Sequence, residues 1–157
     1  MVSEGGRVAT PLVVRSTIAI EAPAEAVWEV LTGVRFLGEW DDLPDEYASD
    51  RLALGSELTW KRVDGGYTRL TVDAFEPLRR MRLALYGSTW PGPPSEYDVG
   101  YAYSLAEESG VTTLSLEIGD FAGIPFGLDH YDASLEFANR AARRIKALAE
   151  ARHGAEP

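Results

Sequence analysis

The residue types that could do chemistry in this chain are few. There are no cysteines and two histidines, His130 and His153. A thiolate nucleophile, a thiolate zinc site and a multi-histidine metal site are therefore excluded. No Gly-x-Ser-x-Gly elbow and no glycine-rich phosphate fingerprint is present. The side chains that could carry a proton in a useful place are Asp41, His130, Tyr101 and Tyr103. His130 stands in Asp129-His130-Tyr131-Asp132, where the two aspartates suit the positive end of a helix dipole. The acidic run Asp41-Asp42 with Asp45-Glu46 lacks the ligand spacing and central glycine of a calcium loop, and reads as a solvated loop. Arg79, Arg80 and Arg82 make a basic patch, and alternation places Arg80 and Arg82 on a wet face opposite acidic partners.

Aromatic residues carry more information. Trp40, Trp60, Trp90, Tyr101 and Tyr103 combine large apolar area with one polar handle each. On the dry face of a cavity they would form a pocket for a flat or greasy molecule. Asn139 is the only asparagine and there is no glutamine. Side-chain hydrogen bonds to such a ligand would come from Tyr, Ser, Thr, Trp or a charged group.

Around these residues the chain has 157 positions, 45% hydrophobic and 25% charged, a composition suited to one globular domain. The formal net charge of −10 is unfavourable for nucleic acid and for an anionic membrane surface. No apolar run approaches the roughly 20 residues that span a bilayer. The first ten residues have no apolar core of a signal peptide, so the expected location is the cytoplasm.

The elements that position the aromatics follow from periodicity. Leu12–Glu21 alternates as a strand. Pro23 and Glu25 open a short helix that ends at Gly33, and a second spans Val34–Trp40. Beyond Pro44 the period is two. Leu58 and Trp60, then Leu70, Val72 and Ala74, mark the next strands, with Asp64-Gly65-Gly66 as the hairpin turn between them. Met81, Leu83 and Leu85, then Val99, Tyr101, Tyr103 and Leu105, continue the pattern across the proline-rich loop Trp90–Pro94. Leu114, Leu116 and Ile118 close the series. A long helix then runs from Leu128 to Arg152, with Leu128, Tyr131, Leu135, Ala138, Ala142, Ile145 and Ala149 as its apolar stripe. On this reading His130 lies off the stripe, and Gly154 and Pro157 end the helix. The expectation is an α+β fold of about seven antiparallel strands curled around that helix. The domain covers 12–152, with flexible termini at 1–11 and 153–157.

The stretch Ser16–Thr32, with Ala22-Pro23, Val27-Trp28 and Leu31-Thr32, resembles the opening of the START-like, or SRPBCC, superfamily. Trp40 in Leu37-Gly-Glu-Trp40 matches the tryptophan that ends the second short helix there. Phe75-Glu-Pro77 with Arg79-Arg-Met81, and Gly110-Val-Thr-Thr-Leu114, resemble the subgroup named after the activator of a heat-shock-protein ATPase. The resemblance spans about Leu12 to Ala151. It departs at Gly123-Ile-Pro-Phe-Gly127, where the subgroup often carries a tryptophan, and in the loop Trp90–Ser95.

The resemblance implies a helix-grip fold that binds a small hydrophobic or aromatic molecule, such as a lipid, sterol or polyketide, between sheet and C-terminal helix. It implies no cofactor and no metal. On the first half of the chain the implied cavity residues are Trp40, Leu43, Leu58, Trp60, Val72, Leu83 and Leu85. On the second half they are Trp90, Tyr101, Tyr103, Leu116, Ile118, Phe121, Phe126, Tyr131 and Leu135. The alternatives are a polyketide cyclase or dehydratase-like enzyme using the same cavity, and a chaperone-cofactor type of interaction module. Binding without catalysis is the preferred reading. A homodimer through an edge strand or the proline-rich loop is compatible with the pattern.

Overall fold

The structure, a computed structural model, describes residues 10–41, 43–44, 47 and 49–155. Of the acidic run, Asp42, Asp45 and Glu46 lie outside the described residues, as does most of the N-terminal segment expected to be loose. The first strand, β1 (Val14–Ile20), is followed by α1 (Ala24–Thr32) and α2 (Val34–Trp40). Pro23, in extended conformation, precedes α1 and needs no amide partner there. The first amide of α1, on Ala24, donates to the Glu107 carboxylate at 2.7 Å, which supplies the cap that Pro23 lacks.

Five further strands complete the sheet: β2 (Glu57–Lys61), β3 (Tyr67–Glu76), β4 (Arg80–Gly87), β5 (Gly100–Glu108) and β6 (Val111–Gly119). Their order is β1-β6-β5-β4-β3-β2, antiparallel throughout. The described sheet therefore has six strands, not about seven. Between α2 and β2 the chain pairs with the helix junction instead: Val34 N–H donates to Asp50 and Leu52 N–H to Thr32, flanking an isolated bridge between Gly33 and Arg51. Those bonds satisfy the backbone away from the sheet edge, so no strand forms there.

Sheet curvature has a local cause. Register shifts between Val72 and Ala74, a bulge that bends β3. Ser109 and Gly110 both have positive φ, which suits the tight two-residue turn joining β5 to β6. Two cross-sheet rows build the inner face. Val72, Leu83, Tyr101 and Ile118 form one, and Phe75, Met81, Tyr103 and Leu116 the next. On the outer face Arg82 bridges Asp73 and Asp98, each at 2.6 Å, and Arg80 lies 3.6 Å from Glu76, the acidic pairing that strand alternation predicts.

The last helix, α3 (Gly127–Ala155), runs through Gly154 rather than stopping before it. It packs on β1, β6 and α1 through small residues, Ala138, Ala141, Ala142 and Ala149, with Ile145 among them. Small side chains allow close approach, and they set the rotation of the whole helix. Two ties fix its far half. The Lys146 ammonium donates to Ala19 O and to Glu150, and the same Glu150 carboxylate accepts the Glu21 N–H. Ala138, Ala142, Ile145 and Ala149 of the expected stripe are buried, and the rotation corrects its start. Leu128 and Leu135 are 66% and 40% exposed, while Ser134 is buried. The inward face steps through 130, 134, 137, 141 and 145, so His130 lies on it.

Candidate functional site

Because α3 lies over the β1–β6 side, the β2–β5 half of the inner face is left uncovered near the start of the helix. A cleft of about 340 Å³ occupies that place. Trp60, Thr68, Leu70, Leu85 and Tyr101 form its sheet wall, and His130, Ala133, Ser134, Phe137 and Arg140 its helix wall. Asp41, the residue after α2, closes one side. Strand alternation places Trp60 opposite Thr68, and Leu58, Leu70 and Leu85 in the row beside it.

The polar groups here are shaped by burial. Tyr101 is pushed up to about 12, first by burial and then by the Asp41 charge, while a hydrogen bond with Ser134 offsets part of the rise. Tyr103, below it in the core, is raised well above the phenol range by burial, with Asp41 and Tyr101 adding to the effect. Both phenols hold their protons at neutral pH. Burial lowers His130, against a smaller opposing pull from Asp129, so its imidazole is neutral at pH 7. The ring stacks on Phe121 at 5.6 Å and meets Trp90 edge-on at 6.4 Å, which fixes its direction. The Trp60 indole N–H is buried and has no hydrogen-bond partner among the described residues.

Surrounding aromatics support these walls. Trp40 donates its indole N–H to Val30 O at 2.8 Å and packs edge-on against Tyr103. Trp90 is 7% exposed and packs on Tyr86 and Tyr97, behind His130. Gly87 makes this possible, since a Cβ there would stand 2.8 Å from the Trp90 indole nitrogen. Trp90 therefore offers no exposed apolar patch to a partner. Beyond Asp41 and Arg140 a surface groove of about 420 Å³ continues past Trp40 to Glu39 and Arg144.

The sequence reading meets this geometry in part. Asp41, Trp60, Leu85, Tyr101 and His130 come together on the cleft. Leu58, Val72, Leu83, Tyr103, Leu116, Ile118 and Phe121 are core residues beneath or beside it, as are Trp40 and Trp90. Leu43 and Tyr131 are partly buried against the core. Phe126 and Leu135 are corrected: Phe126 is 78% exposed at a positive-φ corner before α3, and the rotation of α3 turns Leu135 outward. Thr68, Leu70, Ala133, Ser134, Phe137 and Arg140 escaped the sequence reading. The 130-134-137-141 spacing would have pointed to the helical ones, had the start of the stripe been set by Ser134 and Ala141 rather than by Leu128 and Leu135. No group of three or more metal-ligating side chains occurs among the described residues, and no described helix is long and apolar enough to cross a membrane.

No family model matches the chain, and no curated protein matches its sequence. Solved structures resemble it closely in shape. The protein MLL2253 of Mesorhizobium loti superposes with a TM-score of 0.67 at 19% identity, over 88% of this chain and 97% of that one. DynU16, encoded in the dynemicin biosynthetic locus, gives 0.59 at 23% identity, over 87% of this chain and 48% of that one. The Aha1 dimer of Colwellia psychrerythraea gives 0.56 at 18% identity, over 85% and 97%. The chain thus shares the fold of these structures, and its curved antiparallel sheet with a long C-terminal helix has the helix-grip arrangement that the opening motif implies. At these identities the likeness concerns the fold alone.

Proposed function

We propose that residues 12–152 form a cofactor-independent binding domain that takes a small, flat, mostly apolar molecule into the cleft between β2–β5 and the first half of α3. One observation carries the reading: an aromatic-lined cleft of about 340 Å³ where Trp60, Tyr101, Ser134 and His130 converge. Ligand pockets run from about 300 to 1,000 Å³, lined by apolar and aromatic groups with a few placed polar ones. This cleft is near the lower bound, which favours a compact bicyclic or tricyclic aromatic over a sterol or a long-chain lipid. The location of DynU16 in a biosynthetic locus is compatible with a biosynthetic small molecule as the ligand class.

The enzyme reading is weaker on its own chemistry. A general acid or base works best with a pKa near the operating pH. Tyr101, at about 12, keeps its proton, and His130 is displaced downward by burial. Tyr101 is therefore a better hydrogen-bonding partner than proton shuttle. An interaction module of the chaperone-cofactor type has no feature of this chain in its favour beyond a shared fold.

A thermal-shift panel of bicyclic aromatics, flavonoids, sterols and fatty acids tests the reading. At a hundred times Kd, linkage stabilises a domain this size by roughly 5–10 °C. Stabilisation by compact aromatics, rising with concentration, is expected. No shift from any class at solubility-limited concentration would refute the reading.

A further inference from the structure

We propose that the open edge of β1 takes up an extended peptide of a partner protein as an added strand, apolar at alternate positions and basic at one end. This goes beyond the cleft reading and does not depend on it. β1 ends the sheet order, so one side of it has no partner strand among the described residues. Alternation tells which backbone groups point there. Leu12 O accepts from the Phe121 N–H and Ala22 O from the Thr112 hydroxyl, so even-numbered residues face β6. Ala19 O accepts from Lys146 and the Glu21 N–H donates to Glu150, so odd-numbered residues face outward. Side chains of α3 thus close the edge at 19 and 21. The N–H and C=O of Arg15 and Thr17 are left open to a strand.

A groove of about 260 Å³ runs beside this edge, lined by Ser16, Thr17, Ile18, Asn139, Ala142 and Arg143. α3 follows β1 in the same direction: a Cβ on Gly127 would stand 3.4 Å from the Leu12 side chain, and further along Lys146 reaches Ala19 O. Leu128 and Leu135 share a helical stripe with Asn139 and Lys146, so they stand over the open part of the edge. They are 66% and 40% exposed. An added strand would bring alternate side chains beneath them. Asn139 offers donor and acceptor together, which matches a peptide group. Charge fixes the chemistry of the occupant. Asp132 lies between the two leucines and Glu136 beyond it, both exposed, whereas Arg143 sits at the Ile18 end. Basic residues therefore belong at the Leu128 end, and the net charge of −10 steers a cationic peptide inward. A second copy fits this edge poorly. Antiparallel pairing of two β1 strands would put both α3 helices on one face about 5 Å apart, whereas packed helices need about 8–10 Å.

The probe is the capped peptide acetyl-Val-Thr-Leu-Thr-Val-Lys-Lys-amide, whose lysines fall beside Asp132 when it pairs antiparallel. Titration of the full chain, followed by amide NMR and hydrogen exchange, should show saturable shifts along β1 and at Leu135, and slowed exchange of the Arg15 and Thr17 amides. N-methylation of the probe amides that face β1 keeps every side chain and removes the strand bonds, and should weaken binding at least about tenfold. Glutamates in place of the lysines should weaken it several-fold, more at low salt. Thr17→Pro removes an outward N–H that β6 does not use, a change edge strands tolerate, and should abolish binding. Leu135→Ser, at an exposed position, should weaken it about tenfold. Equal binding of the N-methylated probe, shifts confined to another surface, or no binding at millimolar probe would overturn the inference. So would a dimer of the free chain in sedimentation that Thr17→Pro dissociates, since the occupant of the edge would then be a second copy. The wild-type probe series decides the question even where a variant fails to fold, and none of these outcomes bears on the cleft.

Discussion

Ala133 offers a way to close the cleft without disturbing the core. It is exposed on α3, yet it lines the cleft. Replacing it by tryptophan adds about 140 Å³ of side chain at protein packing density. Placed in a space of about 340 Å³, that leaves roughly 200 Å³, below the usual floor of about 300 Å³ for a ligand pocket. A compact aromatic that loses about 100 Å² of buried apolar surface forfeits about 2.5 kcal/mol, close to a hundredfold in Kd. The effect on stability should be small, because the position is exposed and the helix-propensity difference between Ala and Trp is about 0.5 kcal/mol. Ala147→Trp is the matched control. It too is exposed on α3, more than three turns further along and away from the cleft. Calorimetric titration with acetylnaphthalene, paired with thermal melts, reads both quantities. Ala133→Trp should melt within a few degrees of Ala147→Trp and bind at least tenfold more weakly. Equal affinities in the two variants would refute the assignment of the site to this cleft.

Other consequences are local. His130 should titrate below 6.5 by NMR, because burial disfavours its charged form. As the pH falls below 6.5 the unfolded chain takes up the proton first, so stability declines until the folded-state pKa is passed; His130→Phe should flatten that part of the Tm-against-pH curve. Glu150 is held below the carboxylate range, first by its hydrogen bond from Lys146 and next by the Glu21 amide. Its contribution is present above about 4.5 and is lost as pH falls through the folded pKa, and Glu150→Gln should cost about 1 kcal/mol at pH 7 by urea unfolding. Gly127→Ala should destabilise by about 1–3 kcal/mol, since a Cβ there would stand 2.2 Å from Phe121 O. Gly154→Ala, which meets nothing within 4 Å, should be neutral or mildly stabilising through helix propensity; a loss equal to that of Gly127→Ala would contradict the packing argument.

The sheet was legible because period-two alternation is an unambiguous signal, and the register rows align the residues that alternation picks out, such as Leu83, Tyr101 and Ile118. The expected count of about seven strands exceeded the six segments that alternation itself marks, and the six are what the sheet contains. On α3 the far part of the expected stripe, Ala138, Ala142, Ile145 and Ala149, is buried, while Leu128 and Leu135 near its start are exposed. Close approach through the small residues, Ala141 among them, sets the rotation of the helix. That rotation decides which face of the helix meets the cleft. It turns His130, Ser134 and Phe137 inward and exposes Leu135. The unpaired Trp60 indole N–H was hidden for a related reason: it is a property of neighbours, not of a residue type.

The most direct test of the cleft as a binding site is a titration of isotope-labelled protein with acetylnaphthalene, followed by amide and indole NMR. The account predicts saturable shifts centred on the Trp60 indole and on the Ser134 and Phe137 amides, the residues that line the cleft. Saturable shifts confined to another surface, with the Trp60 indole unmoved, would contradict it.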